Sequence, residues 1–534
     1  MTRALFSFWL TAALMGCGTA PKAPNRWNVL LVSVDTLRAD HLSSYGATGI
    51  RTEASDRLAS EGVLFEDVTT VSPTTLPAHA SLFTGLTPVA HGVRDNVGFT
   101  LRGDVPTLAS QLKANDYETA GFVGAFVLDS RFGIARGFDV WDDELGASAD
   151  GLEAGIVAQR RGDAVLDSAF RWLDGRSEGE SPFFAFVHFY DPHTPYESPG
   201  DDDRARYRGE VAYTDSLVGK LLDGIEERGL ASRTLVVLTS DHGESLGQHG
   251  ELTHGLFVYE ATLRIPLILR FPGAPAGKRI PGLARILDVT PTILDLLGLP
   301  PLRKAGGQSL VARIEGKPLS EPVAYAETFV PRFHYGWSEL RAVRRGRHKL
   351  VLAPRPELFD LEEDPEETRN LVEEEVALAR SLEDELRELL NRESGPIEPS
   401  PVDTETRRKL EALGYTSAAA PEGGLADPKD RIDLYLALND TTLESLEPGD
   451  DGFEDALALL ERVLGNEPTV PRAYVLYGDL LLRTGRTSDA ERNFEKLTEI
   501  EPDRFDGHYG LGVARARQGK FPEAKSAFER AIEL

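Results

Sequence analysis

The sequence has a single cysteine, Cys17, in 534 residues. That excludes an internal disulfide framework and any metal site built from several cysteines. Positive charge is also scarce: 58 Lys and Arg face 86 Asp and Glu, a formal net charge of -28. A chain this acidic repels nucleic acid and anionic lipid surfaces through its far field, so neither is expected as a partner. Long apolar runs are missing as well. The N-terminal run Ala4 to Gly16 holds about 13 residues against the roughly 20 of a membrane-spanning helix, and no later stretch reaches that length. What remains is ordinary globular composition, 41% hydrophobic and 27% charged. It suffices for a large core and excludes a mainly disordered or collagen-like chain. At roughly 150 residues per domain, the length implies two to four domains.

Arg3 followed by a short apolar run makes residues 1–17 a signal peptide rather than a span. Its ending, Leu14-Met15-Gly16-Cys17, resembles the bacterial lipobox, in which the cysteine is lipidated and becomes the mature N-terminus. An ordinary signal peptide with a chance cysteine is the alternative. Residues 18–27, with Thr19-Ala20-Pro21-Lys22-Ala23-Pro24, then form an extended tether. The expectation is a chain anchored by lipid alone to a bacterial membrane, facing the periplasm or the exterior.

Three near-continuous apolar runs, Asn28 to Val34, Phe183 to Phe189 and Thr234 to Ser240, predict strands covered on both faces. Each is followed at once by polar residues: Asp35, Asp191 to His193, and Asp241-His242. Helical patterns such as Thr107–Asn115 and Arg160–Leu173 lie between them. Strands alternating with helices imply a mostly parallel α/β sheet, with ligands bound outside the carboxyl ends of the strands. Breaker-rich stretches at Ser394 to Pro401 and Ser417 to Pro428 flank a short helical pattern around Arg407–Leu413. These divide a domain at 28–395 from a linker at 396–429 and a tail at 430–534. The tail repeats at 34 residues in four registers: Ala456, Ala490 and Ala524; Leu460, Phe494 and Phe528; Gly485 and Gly519; Glu467-Pro468 and Glu501-Pro502. That is the signature of a tetratricopeptide array, an all-α domain whose concave face binds a partner protein or a second copy. The last repeat, ending at Ile532-Glu533-Leu534, has no polar capping helix after it, which predicts dimerisation or a partner there.

Ser72 to Gly85 reads as a helix, with Pro77 in its first turn and Gly85 at its end. Thr75 then falls at or near the N-cap, either as a plain capping residue or in an anion-binding position. Asp35 and the Asp241-His242 pair bring two carboxylates and an imidazole to strand ends. With the Thr75 oxygen they make an N/O site for zinc or manganese, which would activate the threonine as a nucleophile. Four of the 11 histidines, His188, His193, His249 and His254, lie in the two loops after these strands; loop histidines bonded to backbone are the plainer alternative. Asp40 and Glu244 are expected to be structural carboxylates.

At these residues the chain resembles the sulfatase branch of the alkaline phosphatase superfamily. The resemblance runs from about Asn28 to Leu371 through Val32–Gly46, Ser72–Gly85, His91-Gly92-Val93, His188–Tyr196, Ser240–Gly250 and Arg264–Leu267. Glu357 to Pro365 with Asn370-Leu371 resembles the family's small C-terminal subdomain. The resemblance implies a sulfatase-like, mostly parallel sheet sandwiched by helices, followed by that subdomain. It also exposes departures. Sulfatases carry Cys or Ser in C/S-x-P-x-R, converted to formylglycine, where this chain has Thr75, Pro77 and His79. Since the only cysteine is Cys17, no cysteine-derived formylglycine can form. The usual Asp-Asp pair is Asp35-Thr36, one hard oxygen ligand for calcium fewer, and His254 stands at the usual sulfate-binding lysine.

These departures resemble the superfamily's zinc-dependent phosphodiesterases and phosphoethanolamine transferases. That likeness implies Asp35, Thr75, Asp241 and His242 around a principal metal, most plausibly zinc, with manganese or calcium as alternatives. His193 and His254 would hold a second metal or the oxygens of the transferred group, and His79, Asn96 and His188 would contact substrate. The metal and the histidines would counter the chain's acidic field locally. The leading expectation is a metal-dependent hydrolase of sulfate or phosphate esters with Thr75 as nucleophile. A phosphoethanolamine-type transferase acting on envelope lipid or glycan, and an inactive sulfatase fold displaying its repeats as a scaffold, are the alternatives.

Overall fold

The computed structural model describes residues 25–145, 159–176, 181–393, 406, 425–439, 446–468, 470–502 and 504–533. The signal peptide with Cys17 and the linker helix expected around Arg407–Leu413 therefore lie outside the described residues.

Eight strands form the main sheet: β1 (Asn28–Val34), β2 (Val63–Thr69), β3 (Glu118–Phe122), β4 (Val140–Asp142), β5 (Phe183–Phe189), β6 (Thr234–Ser240), β7 (Leu267–Arg270) and β8 (Lys278–Arg285). Their order is β4-β3-β5-β1-β6-β7-β2-β8. Every pairing is parallel except those of β7, which runs against β6 and β2. The three strands predicted from apolar runs have the expected bounds and are buried along their whole length. They are also the centre of the sheet, β5-β1-β6. Helices cover both faces, so a strand here has no solvent side and no reason to alternate. One face packs on the core containing Phe83, Phe184 and Phe186. The other packs on Val165, Leu217 and Leu221 from helices Gly162–Asp174 and Asp203–Glu227.

A second, antiparallel sheet is built from β9 (Val323–Thr328), β10 (Leu340–Arg345), β11 (His348–Leu352) and β12 (Glu357–Asp360). Helix Val376–Arg392 lays Leu382, Leu386 and Leu389 on its Val343, Leu350 and Leu358. Their i, i+4 and i+7 spacing makes one apolar stripe. This is the small subdomain that the C-terminal motif implied.

The tail is helical throughout its described length: Phe453–Asn466, Pro471–Arg483, Thr487–Ile500, Phe505–Arg517 and Phe521–Glu533. The 34-residue period has a steric cause. A Cβ on Gly478 would stand 2.3 Å from the Phe494 ring, and one on Gly512 would stand 2.6 Å from Phe528. Each glycine admits the aromatic ring of the following helix. Phe521 is 69% and Ile532 81% exposed on the last helix, an apolar end face. The preceding helix, Ile432–Leu438, docks on the domain that holds both sheets. There Tyr435 packs edge-on to Tyr335, which stacks on Trp337 at 4.6 Å, and Asn439 donates to the Tyr335 hydroxyl at 3.2 Å. Leu256 to Tyr259 join the same core, so this helix abuts the loop that carries His254.

Candidate active site

Strand register assembles the site. β1 and β6 run in parallel with Val34 opposite Ser240, so the residues that follow, Asp35 and Asp241, emerge side by side. β5 lies on the other flank with His188 opposite Ser33. Groups more than 150 residues apart thus meet at one edge, outside the carboxyl ends of the central strands.

Beyond β1 the chain turns sharply. Thr36 has φ 54°, a strained conformation for a β-branched residue of the kind that clusters at functional sites. It is held there from both sides: its N–H donates to Asp241 Oδ1 at 3.3 Å, and its carbonyl accepts from Tyr207 at 2.7 Å. Helix Thr75–Thr84 points its N-terminus at the cluster and ends at Gly85, φ 66°. The N-cap is Thr74, not Thr75, and neither makes a side-chain cap. Asn96 does that instead, its Oδ1 accepting from Leu76 N–H at 2.8 Å. With its oxygen so engaged, the buried Asn96 Nδ2 has no partner. The Thr75 hydroxyl is left facing Asp35 Oδ2 at 3.4 Å and His242 Nε2 at 3.3 Å.

Asp35, His79, His188, Asp241, His242 and Glu244 are all 0% exposed, and Thr75 is 1% exposed. Carbonyl partners fix several tautomers, because a carbonyl only accepts. His242 Nδ1 donates to Gly243 O at 3.0 Å, leaving Nε2 bare towards Asp241 at 3.5 Å and Asp35 at 3.8 Å. His79 Nδ1 donates to Thr75 O at 2.8 Å, and its Nε2 meets Ser33 Oγ at 3.0 Å. His193 Nδ1 donates to Thr194 O at 2.5 Å. An imidazole anchored through one nitrogen with the other free is the usual posture of a metal ligand.

Burial also sets the charges. It pushes His79 and His193 down to about 3, and His188 and His254 down to about 4, so all four are neutral. These four therefore bring no positive charge of their own to set against the acidic field. Burial, and then the Asp241 charge, push the Asp35 carboxyl well above its usual range. Burial acts the same way on Asp241, but the His242 imidazole beside it and the His242 N–H that donates to it outweigh burial and hold Asp241 low. Two carboxylates this close share their negative charge poorly without a positive ion between them.

The donor set fits such an ion. Donor atoms of Asp35, Asp241 and His242 lie within 4.8 Å of one another, as do those of His79, His188 and Asp241. Asp35 Oδ1 and Asp241 Oδ2 are buried with no hydrogen-bond partner. Four ligands at about 2.0–2.2 Å from one zinc stand about 3.3–3.6 Å apart. The four separations given above, Thr75 to Asp35 and to His242, and His242 to Asp241 and to Asp35, span 3.3–3.8 Å.

The remaining expected residues divide. His254 joins the site, its ring 4.5 Å from that of His242 and 4.9 Å from that of His193. His249 does not; it stacks on Tyr259 at 3.8 Å and turns to Glu366 O. Asp40 lies apart, half-exposed and paired with Arg38 and His41. Glu244, set aside as structural from the sequence, lies buried beside the cluster. It accepts from Tyr196 at 3.3 Å, lies 3.3 Å from His254 Nδ1, and is pushed up to about 7 by burial. Its place in the run Asp241-His242-Gly243-Glu244 was the available signal.

Comparison with known proteins agrees with this architecture. Residues 27–299 match the Sulfatase family model, and residues 247–394 match the model of the N-sulphoglucosamine sulphohydrolase C-terminal region. Residues 450–491 and 478–534 match a tetratricopeptide repeat model. The chain is 28% identical over 430 residues to the choline-sulfatase of Rhizobium meliloti, covering 65% of this chain and 82% of that one. It is 28% identical over 407 residues to an ulvan-active sulfatase of Formosa agariphila, covering 65% and 78%. The crystal structure of the phosphonate monoester hydrolase of Agrobacterium radiobacter superposes with a TM-score of 0.58 at 24% identity, covering 75% and 99%, a likeness of fold. The sulfatase family typically binds a divalent metal, and the buried cluster offers the ligands for one. The chain belongs to the sulfatase family of ester hydrolases and carries tetratricopeptide repeats behind its catalytic region.

Proposed function

We propose that this protein is a metal-dependent hydrolase of sulfate or phosphate esters in which Thr75, rather than formylglycine, is the nucleophile. The observation that carries this reading is the Thr75 hydroxyl, 3.4 Å from Asp35 and 3.3 Å from His242, at the start of a helix. Asp35, Thr75, Asp241 and His242 would hold the ion. When bound, a zinc-like cation lowers the pKa of a coordinated hydroxyl and offsets negative charge on the transferred group.

The chain's own groups supply the rest. Asp35 Oδ2 is placed to take the Thr75 proton. Thr75 Oγ1 then attacks sulfur or phosphorus in line; the new ester bond forms as the bond to the leaving oxygen breaks, and the departing alkoxide takes its proton from solvent. Water cleaves the Thr75 ester and returns the hydroxyl. The positive end of the helix dipole, with the unpartnered Asn96 Nδ2, favours an anion there. His193 and His254 are neutral, which suits them to a second metal ion better than to an unassisted oxyanion. Glu244 keeps His254 in place. Full-length protein is expected to turn over at least one of nitrophenyl sulfate, a phosphate monoester or a phosphodiester, faster with zinc or manganese than with calcium. No turnover of any of them under any of the three metals contradicts the reading.

Cys17 would tether the enzyme to an envelope membrane, with the repeats recruiting a protein partner or a second copy. Cys17→Ser is expected to move the protein from the membrane fraction of a bacterial host to the soluble envelope fraction. A variant that still sediments with membranes sinks the anchor.

A further inference from the structure

His188 is the one site histidine whose ring is not anchored. It is 0% exposed, yet both Nδ1 and Nε2 lack a hydrogen-bond partner. Leaving a buried polar group unsatisfied costs about 1–3 kcal/mol, so an imidazole in this state calls for a ligand of its own. Its surroundings say which kind. Nε2 lies 3.4 Å from Asp35 Oδ2, without the alignment of a hydrogen bond. A donor atom of the ring lies within 4.8 Å of one from Asp241. The rings of Phe186 and His79 flank it, with centroids 6.3 and 4.9 Å away.

The chain also has a gap to fill. Thr36 stands where an oxygen donor beside Asp35 is absent, and its backbone is tied to Asp241 and Tyr207. β5 is hydrogen-bonded to β1 on the opposite flank, and the pairing of His188 with Ser33 sets the imidazole against Asp35. An imidazole thus faces Asp35 in a cluster that is one carboxylate short.

Resting on the metal-dependent reading above, we propose that His188 Nε2 is a direct donor to the same divalent cation as Asp35, Asp241 and His242. Two imidazoles with two carboxylates favour a zinc-like ion over calcium, which takes oxygen ligands. The competing arrangement has His188 donating Nε2–H to Asp35 from outside the coordination sphere.

X-ray absorption at the zinc edge of the full-length, zinc-loaded protein separates the two, because it counts imidazoles bound to the metal. The parent is expected to show at least two, His242 and His188. His188→Gln is expected to keep zinc but lose one imidazole, with at least a tenfold weaker zinc affinity by chelator competition. An unchanged imidazole count in His188→Gln overturns the proposal. If that variant does not fold, the parent decides alone, since a single imidazole per zinc overturns it equally. A zinc-bound parent with one imidazole leaves the metal-dependent reading intact, whereas a parent that binds no divalent cation removes both.

Discussion

Thr75→Ala is expected to lower kcat for the preferred ester by a factor on the order of 10⁴ to 10⁶, the scale seen when a covalent nucleophile is removed. The fold should survive the change. Thr75 is the first residue of its helix and caps nothing, since Asn96 satisfies the Leu76 N–H. Alanine is also the better helix former, so stability should shift by no more than about 1 kcal/mol. Thr75→Ser keeps the hydroxyl and loses only the methyl that restricts its rotamer. It should therefore stay within about a hundredfold of the parent, the usual cost of a misplaced reacting group. The contrast between the two variants separates chemistry from packing. Equal losses in both would mean that the methyl, not the oxygen, matters.

Asp241→Asn should be nearly as damaging, through the cation. Asp241 Oδ1 accepts from His242 N–H at 2.8 Å and from Thr36 N–H at 3.3 Å. An asparagine oxygen can keep both bonds. The second oxygen, Oδ2, has no hydrogen-bond partner and faces His242 at 3.5 Å and His79 at 3.6 Å. Replacing it with an amide NH2 turns a ligand into a donor that repels a cation. Zinc affinity should fall by at least about a hundredfold, and turnover with it at limiting metal. Thermal unfolding with and without zinc gives a second readout. A parent at a hundredfold excess over its Kd gains about 2.7 kcal/mol from the ion, and the variant should gain almost none at the same concentration. The metal-free variant should not be less stable for want of charge, because it no longer sets two carboxylates against each other. Equal stabilisation of both proteins by zinc would remove Asp241 from the site.

The centre of this fold was legible because it is buried on both faces. Apolar runs with no polar interruption have few alternatives to a covered strand, and β1, β5 and β6 follow them residue for residue. The repeats were legible because Gly478 and Gly512 must admit Phe494 and Phe528, which fixes small and large residues at a set interval. Asp35, Thr75, Asp241 and His242 could be nominated because each stands at the end of such a strand or the start of a helix. What the sequence does not carry is register. Only the pairing of Ser33 with His188 and of Val34 with Ser240 decides which distant groups touch. Hence His249, one loop position among four, turns out to face Tyr259 and Glu366, and Glu244 turns out to hold His254. Burial was the other hidden quantity. It keeps neutral His79, His188, His193 and His254, which would be half-charged in water near pH 6.5.

Rapid-quench peptide mapping during the first turnover tests the threonine mechanism most directly. With a good ester substrate, a burst of released alcohol is expected alongside a phospho- or sulfo-group on the peptide containing Thr75. Label on any other residue, or a burst that leaves the chain unlabelled, contradicts the account.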